Sequence, residues 1–236
     1  LTADYGYVNL LAAQGAEKTL MRGFTTVRDI GGSSFAIKKA SDNGLIKGPR
    51  VYPAGAPISQ TSGHFDFRGP NDVPADPNAP LTYLERSGLV MLADGVDDVT
   101  KRVREQLRLG ATQIKLAAGG GVGSTYDPLD VSQYSFEELK AAVDAAADWN
   151  TYVAVHVFTD KGAQRALEAG VMSLEHGNLM SDETFKMMKE KGAWFGMQPL
   201  LNDEDAFVYP AGSPQAAKWI VATDGTVNGI KLAKKY

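Results

Sequence analysis

Two histidines follow short apolar runs that are typical of buried β-strands. His156 closes the run Val153–His156, and His176 closes the run Ser173–His176. The segment between them ends in Gly170 and has the apolar spacing of one short helix, so the stretch predicts strand, helix, strand. Because such a unit places consecutive parallel strands side by side, both imidazoles should lie at the same sheet edge. Two converging neutral imidazoles are typical ligands of Zn²⁺ and related ions.

A lysine and the third histidine are the other residues that this chemistry could use. Lys115 lies in the apolar run Gln113–Ala117, and His64 lies in the Pro- and Gly-rich stretch 56–90. Burial at an apolar strand would lower the pKa of the lysine amine. A loop as long as 56–90 inside a compact domain is usually functional or disordered. Taken alone, Lys115 could also extend its amine to solvent, and His64 could be an ordinary loop residue.

The elements that must position these residues alternate between strand and helix. Apolar runs near residues 25, 51, 114, 154, 174 and 195 predict six strands, and helical spacing separates them. This order is typical of a parallel α/β sheet. Long loops follow the strands and short ones follow the helices, which is the organisation of a (β/α)₈ TIM-type barrel with function at the carboxyl face. Only six of the eight strands of such a barrel are visible.

Composition excludes several classes of function. The chain has 236 residues, a net charge of −4 with acids and bases interspersed, and no cysteine. Nucleic acid and anionic membranes are therefore poor partners, and a small-molecule substrate is expected. Disulfides, Fe–S clusters and thiolate zinc sites are excluded, although this does not fix the compartment. No apolar run approaches the ~20 residues of a membrane span.

Five stretches distributed over almost the whole chain carry a family resemblance. They are GFTTVRDIG (23–31), SQTSGH (59–64), IKLAAGGG (114–121), VHVFT (155–159) and LEHG (174–177). Together they resemble the metal-dependent amidohydrolase superfamily, in particular its imidazolonepropionase-like and Xaa-Pro dipeptidase-like branch. The set is specific, whereas no single stretch would be.

The resemblance implies a (β/α)₈ barrel of which about six units, strands 2 to 7, are present. It implies one or two divalent ions, zinc being expected, at the carboxyl rim. Lys115 would react with CO₂ to form a carbamate that bridges two ions, and His156 and His176 would bind the second ion. The first-strand His-x-His pair of the family should lie before Leu1, and its catalytic aspartate beyond Tyr236. Residues 1–236 would then be a single catalytic-barrel domain, incomplete at both ends.

The resemblance also suggests which residues contact the substrate. His64, in the loop 56–90 on the active face, is expected to act in catalysis and substrate binding. Arg28 and Phe158 are expected to bind substrate as well. Phe158 stands where many relatives carry tyrosine, so a hydroxyl that could bind a substrate carboxylate is absent.

The expected function is metal-dependent hydrolysis of an amide- or peptide-type C–N bond in a dipeptide, an N-acyl amino acid or a cyclic amide. One alternative is a Schiff-base aldolase on the same barrel, with Lys115 as the nucleophile and Gly119–Gly123 holding a phosphate. Another is an inactive truncated module. Six strands leave two open sheet edges, so association of the chain with itself is expected.

Overall fold

Helices and parallel strands alternate along the described residues of this computed structural model, which are 4–72, 80–199, 201, 206 and 209–236. The strands are β1 (Thr26–Asp29), β2 (Arg50–Pro53), β3 (Ile58–Ser59), β4 (Met91–Leu92), β5 (Ile114–Ala117), β6 (Val153–Val157), β7 (Ser173–His176) and β8 (Trp194–Met197). The helices are α1 (Tyr5–Met21), α2 (Phe35–Asp42), α3 (Tyr83–Arg86), α4 (Gly95–Leu109), α5 (Phe136–Ala147), α6 (Asp160–Ala169), α7 (Asp182–Lys191) and α8 (Pro214–Lys235).

All six strands expected from the sequence are present. The stretch 56–90 was expected to be a loop, but it also contains β3, β4 begins directly after it, and α3 lies within it. Two-residue strands and a four-residue helix are too short to produce a periodic pattern, which is why the sequence did not indicate them. Residues 73–79 of this stretch lie outside the described residues.

The strands form a curved wall in two hydrogen-bonded parts. One sheet contains β1 and β2, and the other has the order β4-β3-β5-β6-β7-β8, with every pair parallel. The backbone N–H of Thr112, before β5, donates to Pro53 O of β2 at 2.8 Å. The Gln113 amide donates to Asp29 O and Tyr52 O at 2.9 and 3.0 Å, and so ties β5 to both β1 and β2. The wall is therefore that of a partial barrel.

Alternate residues of the central strands face two different environments. One set packs against the helices in the largest apolar cluster, which includes Ile114, Leu116, Val153, Val155, Val157 and Leu174. Each is almost fully buried, and such burial is worth about 1.5–3 kcal/mol per large side chain. The other set, which includes Lys115, His156 and Glu175, points to the barrel interior because strand side chains alternate with period two.

Helix ends follow the signals in the sequence. Ser135 and Glu138 form a capping box at the start of α5. Ser213 accepts from the N–H of Ala216, and Pro214 is the first residue of α8. Within the described residues no helix is both long and apolar enough to cross a bilayer.

Helix α8 lies over the loops that follow β5, β6 and β7. Its residues Trp219 and Ala222 pack with Val122 and Phe158 in a second apolar cluster. Gly225 lies within α8, which is continuous there. A Cβ at Gly225 would lie 2.2 Å from Asn178 O, so the glycine permits close approach of the helix. That approach fixes α8 against the carboxyl face of the sheet.

The Gln113 bridge predicts a large effect of a small substitution. Gln113→Ala should lower the free energy of unfolding by roughly 2 kcal/mol, because the two hydrogen bonds that its buried amide donates to main-chain carbonyls are lost. The exposed Gln14→Ala serves as the control and should be nearly neutral. Urea denaturation with an unchanged m-value would check this. Equal stability of the two variants would contradict the bridging role.

The outer edge of the wall predicts self-association. Within the described residues β8 pairs only with β7, and Trp194 on it is 76 % exposed. We expect the 236-residue chain to associate with increasing concentration, as measured by size-exclusion chromatography with light scattering. Trp194→Lys should reduce association because a charged side chain protects an edge strand. A monomer at every concentration tested would contradict this expectation.

Candidate active site

The three histidines of the chain lie together at the carboxyl ends of the strands. The rings of His64 and His156 are stacked, with centroids 3.8 Å apart and planes 8° apart. The His176 ring lies 4.6 Å from that of His156, at 62°. Phe158, directly after β6, covers both, with centroid distances of 5.2 Å to His156 and 5.4 Å to His176. The structure therefore brings together residues that are up to 112 positions apart in sequence.

An unusual backbone conformation aims His176 at this cluster. By strand alternation, Ser173 and Glu175 face the interior, so Leu174 and His176 should face the helices. Leu174 does so, but His176 has φ of +74° and turns back to the interior. Non-glycine residues rarely adopt positive φ, and such residues are concentrated at functional sites. The sequence predicted the position of His176 but gave no indication of this turn.

Among the described residues, hydrogen bonds engage one ring nitrogen of each strand histidine and leave the other free. His156 Nε2 lies 2.9 Å from Gly120 O, and His176 Nδ1 lies 2.6 Å from Gln198 Oε1. Carbonyl and amide oxygens only accept, so these nitrogens donate, and the other nitrogen of each ring keeps its lone pair. Burial is the largest cause that holds the pKa of His156 well below its usual range, and the charges of His64, His176 and Lys115 lower it further. Burial, with a smaller effect of the Lys115 charge, lowers the pKa of His176 to about 3. Both imidazoles are therefore neutral, as metal ligands must be.

Lys115 is buried beside these rings with an amine that makes no hydrogen bond within the described residues. Burial lowers its pKa to about 7; Glu175 raises the pKa and Arg28 lowers it. The lysine in turn lowers the pKa of both His156 and His176, so it lies within electrostatic range of the pair. Near neutral pH a substantial fraction of the amine is uncharged and nucleophilic.

His64 is held by residues that the sequence did not single out. Its Nδ1 lies 2.9 Å from Ser124 Oγ and 3.2 Å from Asp127 Oδ2. Its backbone N–H donates to Gln133 Oε1 at 3.0 Å. Gly121 packs against the ring so closely that a Cβ would lie 2.0 Å from His64 Cε1. Ser124, Asp127 and the Gln198 partner of His176 occur in loops without periodicity, so no sequence signal identifies them.

The structure does not bring Arg28 to the histidine cluster. Its guanidinium pairs with Glu175 at 2.9 Å and donates to Ser173 Oγ at 3.2 Å. It also lines a cavity of about 350 Å³ with residues at the amino ends of strands, such as Tyr152 and Trp194. Substrate binding by Arg28 stays a prediction, and this geometry does not favour it.

The donor set suits a metal only if the lysine contributes. Within the described residues no three His, Cys, Asp or Glu side chains converge as ligands. The pair His156 and His176 would therefore need a ligand of another type, and the candidate is the amine of Lys115, which is buried and within electrostatic range of both. A carbamate on that amine would supply the missing anionic oxygens. The residues present fit a divalent ion on this condition.

Residues 5–209 match the amidohydrolase family. The chain belongs to the amidohydrolase family. It is 41% identical to the ochratoxinase of Aspergillus niger over 187 residues, which is 76% of this chain and 38% of that protein.

Solved structures of the family have the same fold. A prolidase complexed with N-methylphosphonate-L-proline superimposes with a TM-score of 0.89 at 35% identity, covering 99% of this chain and 57% of that one. A Xaa-Pro dipeptidase with methionine in its active site gives a TM-score of 0.76 at 32% identity, covering 94% and 56%. The chain thus spans little more than half of the solved relatives and less of the curated one.

The lowered pKa of Lys115 predicts how stability depends on pH. Without metal and CO₂, the unfolded chain binds more protons than the folded one between about pH 7 and the ordinary lysine pKa of 10.5, so stability should rise with pH. Lys115 should change the free energy of unfolding by at most about 1.4 kcal/mol for each pH unit in this range.

Lys115→Met should lack this contribution, and its stability relative to the unsubstituted protein should be greatest at or below pH 7. Denaturation with urea from about pH 6 to pH 9 would measure it. The exposed Lys140→Met is the matched control and should retain the unsubstituted pH dependence. Parallel curves for Lys115→Met and the unsubstituted protein would contradict a lowered lysine pKa.

Proposed function

We propose that the protein containing this chain hydrolyses an amide- or peptide-type C–N bond with divalent metal, zinc being the first candidate. The observation that carries the proposal is the convergence of His156 and His176, whose ring centroids lie 4.6 Å apart. The buried Lys115 is in electrostatic range of both rings. Membership of the amidohydrolase family supports the same reaction class.

In this proposal each ligand residue is prepared by its surroundings. His156 and His176 would bind through the ring nitrogens that Gly120 O and Gln198 Oε1 leave free. A partner on the second nitrogen fixes the tautomer and the ring orientation of a metal ligand. A bound divalent ion would supply Lewis acidity and lower the pKa of coordinated water to about 7.

Lys115 would act as a carbamate rather than as an amine. An ammonium group has no lone pair for a metal, whereas a neutral amine can react with CO₂ and lose a proton to give an anionic oxygen ligand. A pKa of about 7 supports this reaction near neutral pH. Since a buried anion is unfavourable without a cation, carbamate formation and metal binding should depend on each other.

His64 would bind the substrate or move a proton beside the metal ligands. Its Nδ1 faces Asp127 and Ser124, so the carboxylate fixes the ring and favours the Nδ1–H tautomer. Nε2 is then the nitrogen available to a substrate. The stretch 56–90 would contribute this face of the site, with residues 1–236 acting as one catalytic domain.

The proposed substrate class rests on the relatives of the chain and on the position of Phe158. The solved relatives include a prolidase and a Xaa-Pro dipeptidase, and the curated relative is an ochratoxinase. We propose a small dipeptide or N-acyl amino acid, with Phe158 forming an apolar wall over both strand histidines. Phe158 has no hydroxyl for a substrate carboxylate, which favours apolar over carboxylate recognition at this point.

The aldolase alternative is less well supported. It requires Gly119–Gly123 to bind a phosphate through backbone N–H groups. The N–H of Gly121 instead donates to Asp127 Oδ2 at 2.8 Å, and a carboxylate at that position would repel an anion. The alternative also leaves the converging histidines without a role.

The role of Lys115 can be tested by substitution and rescue. Lys115→Ala should reduce metal-dependent amide hydrolysis by at least about 100-fold and lower the bound metal, because the anionic ligand proposed at this position is lost. A short carboxylic acid should restore part of both by providing an oxygen ligand. Turnover with N-acyl amino acids and metal content by mass spectrometry are the measurements.

The matched control is the exposed Lys140→Ala, which should keep full metal content and turnover. Bicarbonate should assist metal loading of the unsubstituted protein and have no effect on Lys115→Ala. Unchanged metal content and turnover in Lys115→Ala would refute the carbamate role. Inactivation by borohydride with a carbonyl substrate would favour the aldolase.

A further inference from the structure

One loop contacts two of the three histidines from outside their own strands. We call the segment Gly119–Asp127, which follows β5, the glycine loop. Its Gly120 O accepts from His156 Nε2 at 2.9 Å. Its Ser124 and Asp127 side chains lie 2.9 and 3.2 Å from His64 Nδ1. The third histidine, His176, is held by Gln198 instead.

Two glycines of this loop, Gly120 and Gly121, are required by close contacts. A Cβ at Gly120 would lie 1.8 Å from Pro128 O, and a Cβ at Gly121 would lie 2.0 Å from His64 Cε1. Larger residues therefore do not fit, and the loop retains the high conformational freedom of glycine in the unfolded chain. Its order must come from contacts with other parts of the protein.

A lysine of α8 provides such a contact. Lys218 Nζ donates to Gly121 O at 2.8 Å, Ser124 O at 2.8 Å and Asp127 O at 2.9 Å. All three ammonium hydrogens are thus directed at main-chain carbonyls of the glycine loop. Hydrogen bonds from a charged donor are roughly twice as strong as neutral ones.

Neighbouring contacts keep Lys218 in place. The adjacent Trp219 and nearby Ala222 pack in the apolar cluster that contains Val122 of the glycine loop. Apolar packing joins the helix to the loop but sets no direction for the loop carbonyls. The three hydrogen bonds of the Lys218 ammonium group orient the carbonyls of Gly121, Ser124 and Asp127, because hydrogen bonds are directional. This constrains the neighbouring Gly120 O and the Asp127 side chain, which contact the histidines.

We propose that Lys218 is a positioning residue for the candidate active site, acting through the glycine loop to orient the rings of His64 and His156. Its consequence for catalysis rests on the proposed function. The orientation of the two rings does not, because it belongs to the metal-free protein.

The test compares the three histidines within one protein. Side-chain ¹⁵N NMR of the metal-free protein should give one tautomer for His64, protonated at Nδ1, and one for His156, protonated at Nε2. Lys218→Met keeps the aliphatic stem and removes the three donors. We expect it to broaden or average the nitrogen signals of His64 and His156 and to leave those of His176 unchanged. The exposed Lys231→Met of the same helix is the control and should alter none.

Two outcomes would overturn the proposal: unchanged signals for all three rings in Lys218→Met, or equal changes in all three, which would indicate general loosening. If Lys218→Met does not fold, Lys218→Arg replaces it. The planar guanidinium cannot reach three carbonyls as the ammonium does, so the same two rings should change, and unchanged rings would again overturn the proposal.

A metal titration separates this inference from the proposed function. If His156 is a ligand, Lys218→Met should weaken Zn²⁺ binding by about tenfold, since partners of ligating histidines typically contribute 10–100-fold. Altered His64 and His156 signals with unchanged Zn²⁺ affinity would support the positioning role and count against His156 as a ligand. Unaltered signals would overturn the positioning role whatever the affinity.

Discussion

The amine of Lys115 lies in the barrel interior without a hydrogen-bond partner in the described part of the chain, and the rest of the site is arranged around it. An ammonium group in such a position is unfavourable by several kcal/mol, so the amine tends to lose its proton. The neighbouring imidazoles are neutral for the same reason of burial. A group of neutral nitrogen bases kept together away from water is an environment in which a divalent cation is the natural complement.

The orientation of these bases comes from oxygen acceptors outside the strands. Gly120 O, Gln198 Oε1 and the Asp127 carboxylate each fix one imidazole. The strands determine where each ring enters the interior, and the loops determine which nitrogen faces inward. This division is common in barrels, where rigid strands carry loops that differ among relatives.

The sequence predicted what depends on short-range pattern. The strand-end positions of His156 and His176 and the strand position of Lys115 follow from apolar runs and glycine stops, and all were located correctly. The positive φ of His176 and the partners Asp127, Gln198 and Lys218 could not be predicted in this way. They depend on contacts between residues far apart in sequence, which leave no periodicity. The close approach of Gly225 to Asn178, 47 positions away, is a contact of the same kind.

The Arg28–Glu175 pair explains why a carboxylate near Lys115 does not hold the lysine in its charged form. Glu175 accepts two hydrogen bonds from Arg28 and one from Ser173, so its lone pairs are directed at those donors. A Cβ at Gly196 would lie 1.9 Å from Glu175 Oε2, so the carboxylate occupies space that a side chain at position 196 would need. The attraction of Glu175 for an ammonium is opposed by the repulsion from Arg28, and burial then dominates the pKa of Lys115. Arg28 thus influences the candidate site through its electrostatic effect on Lys115.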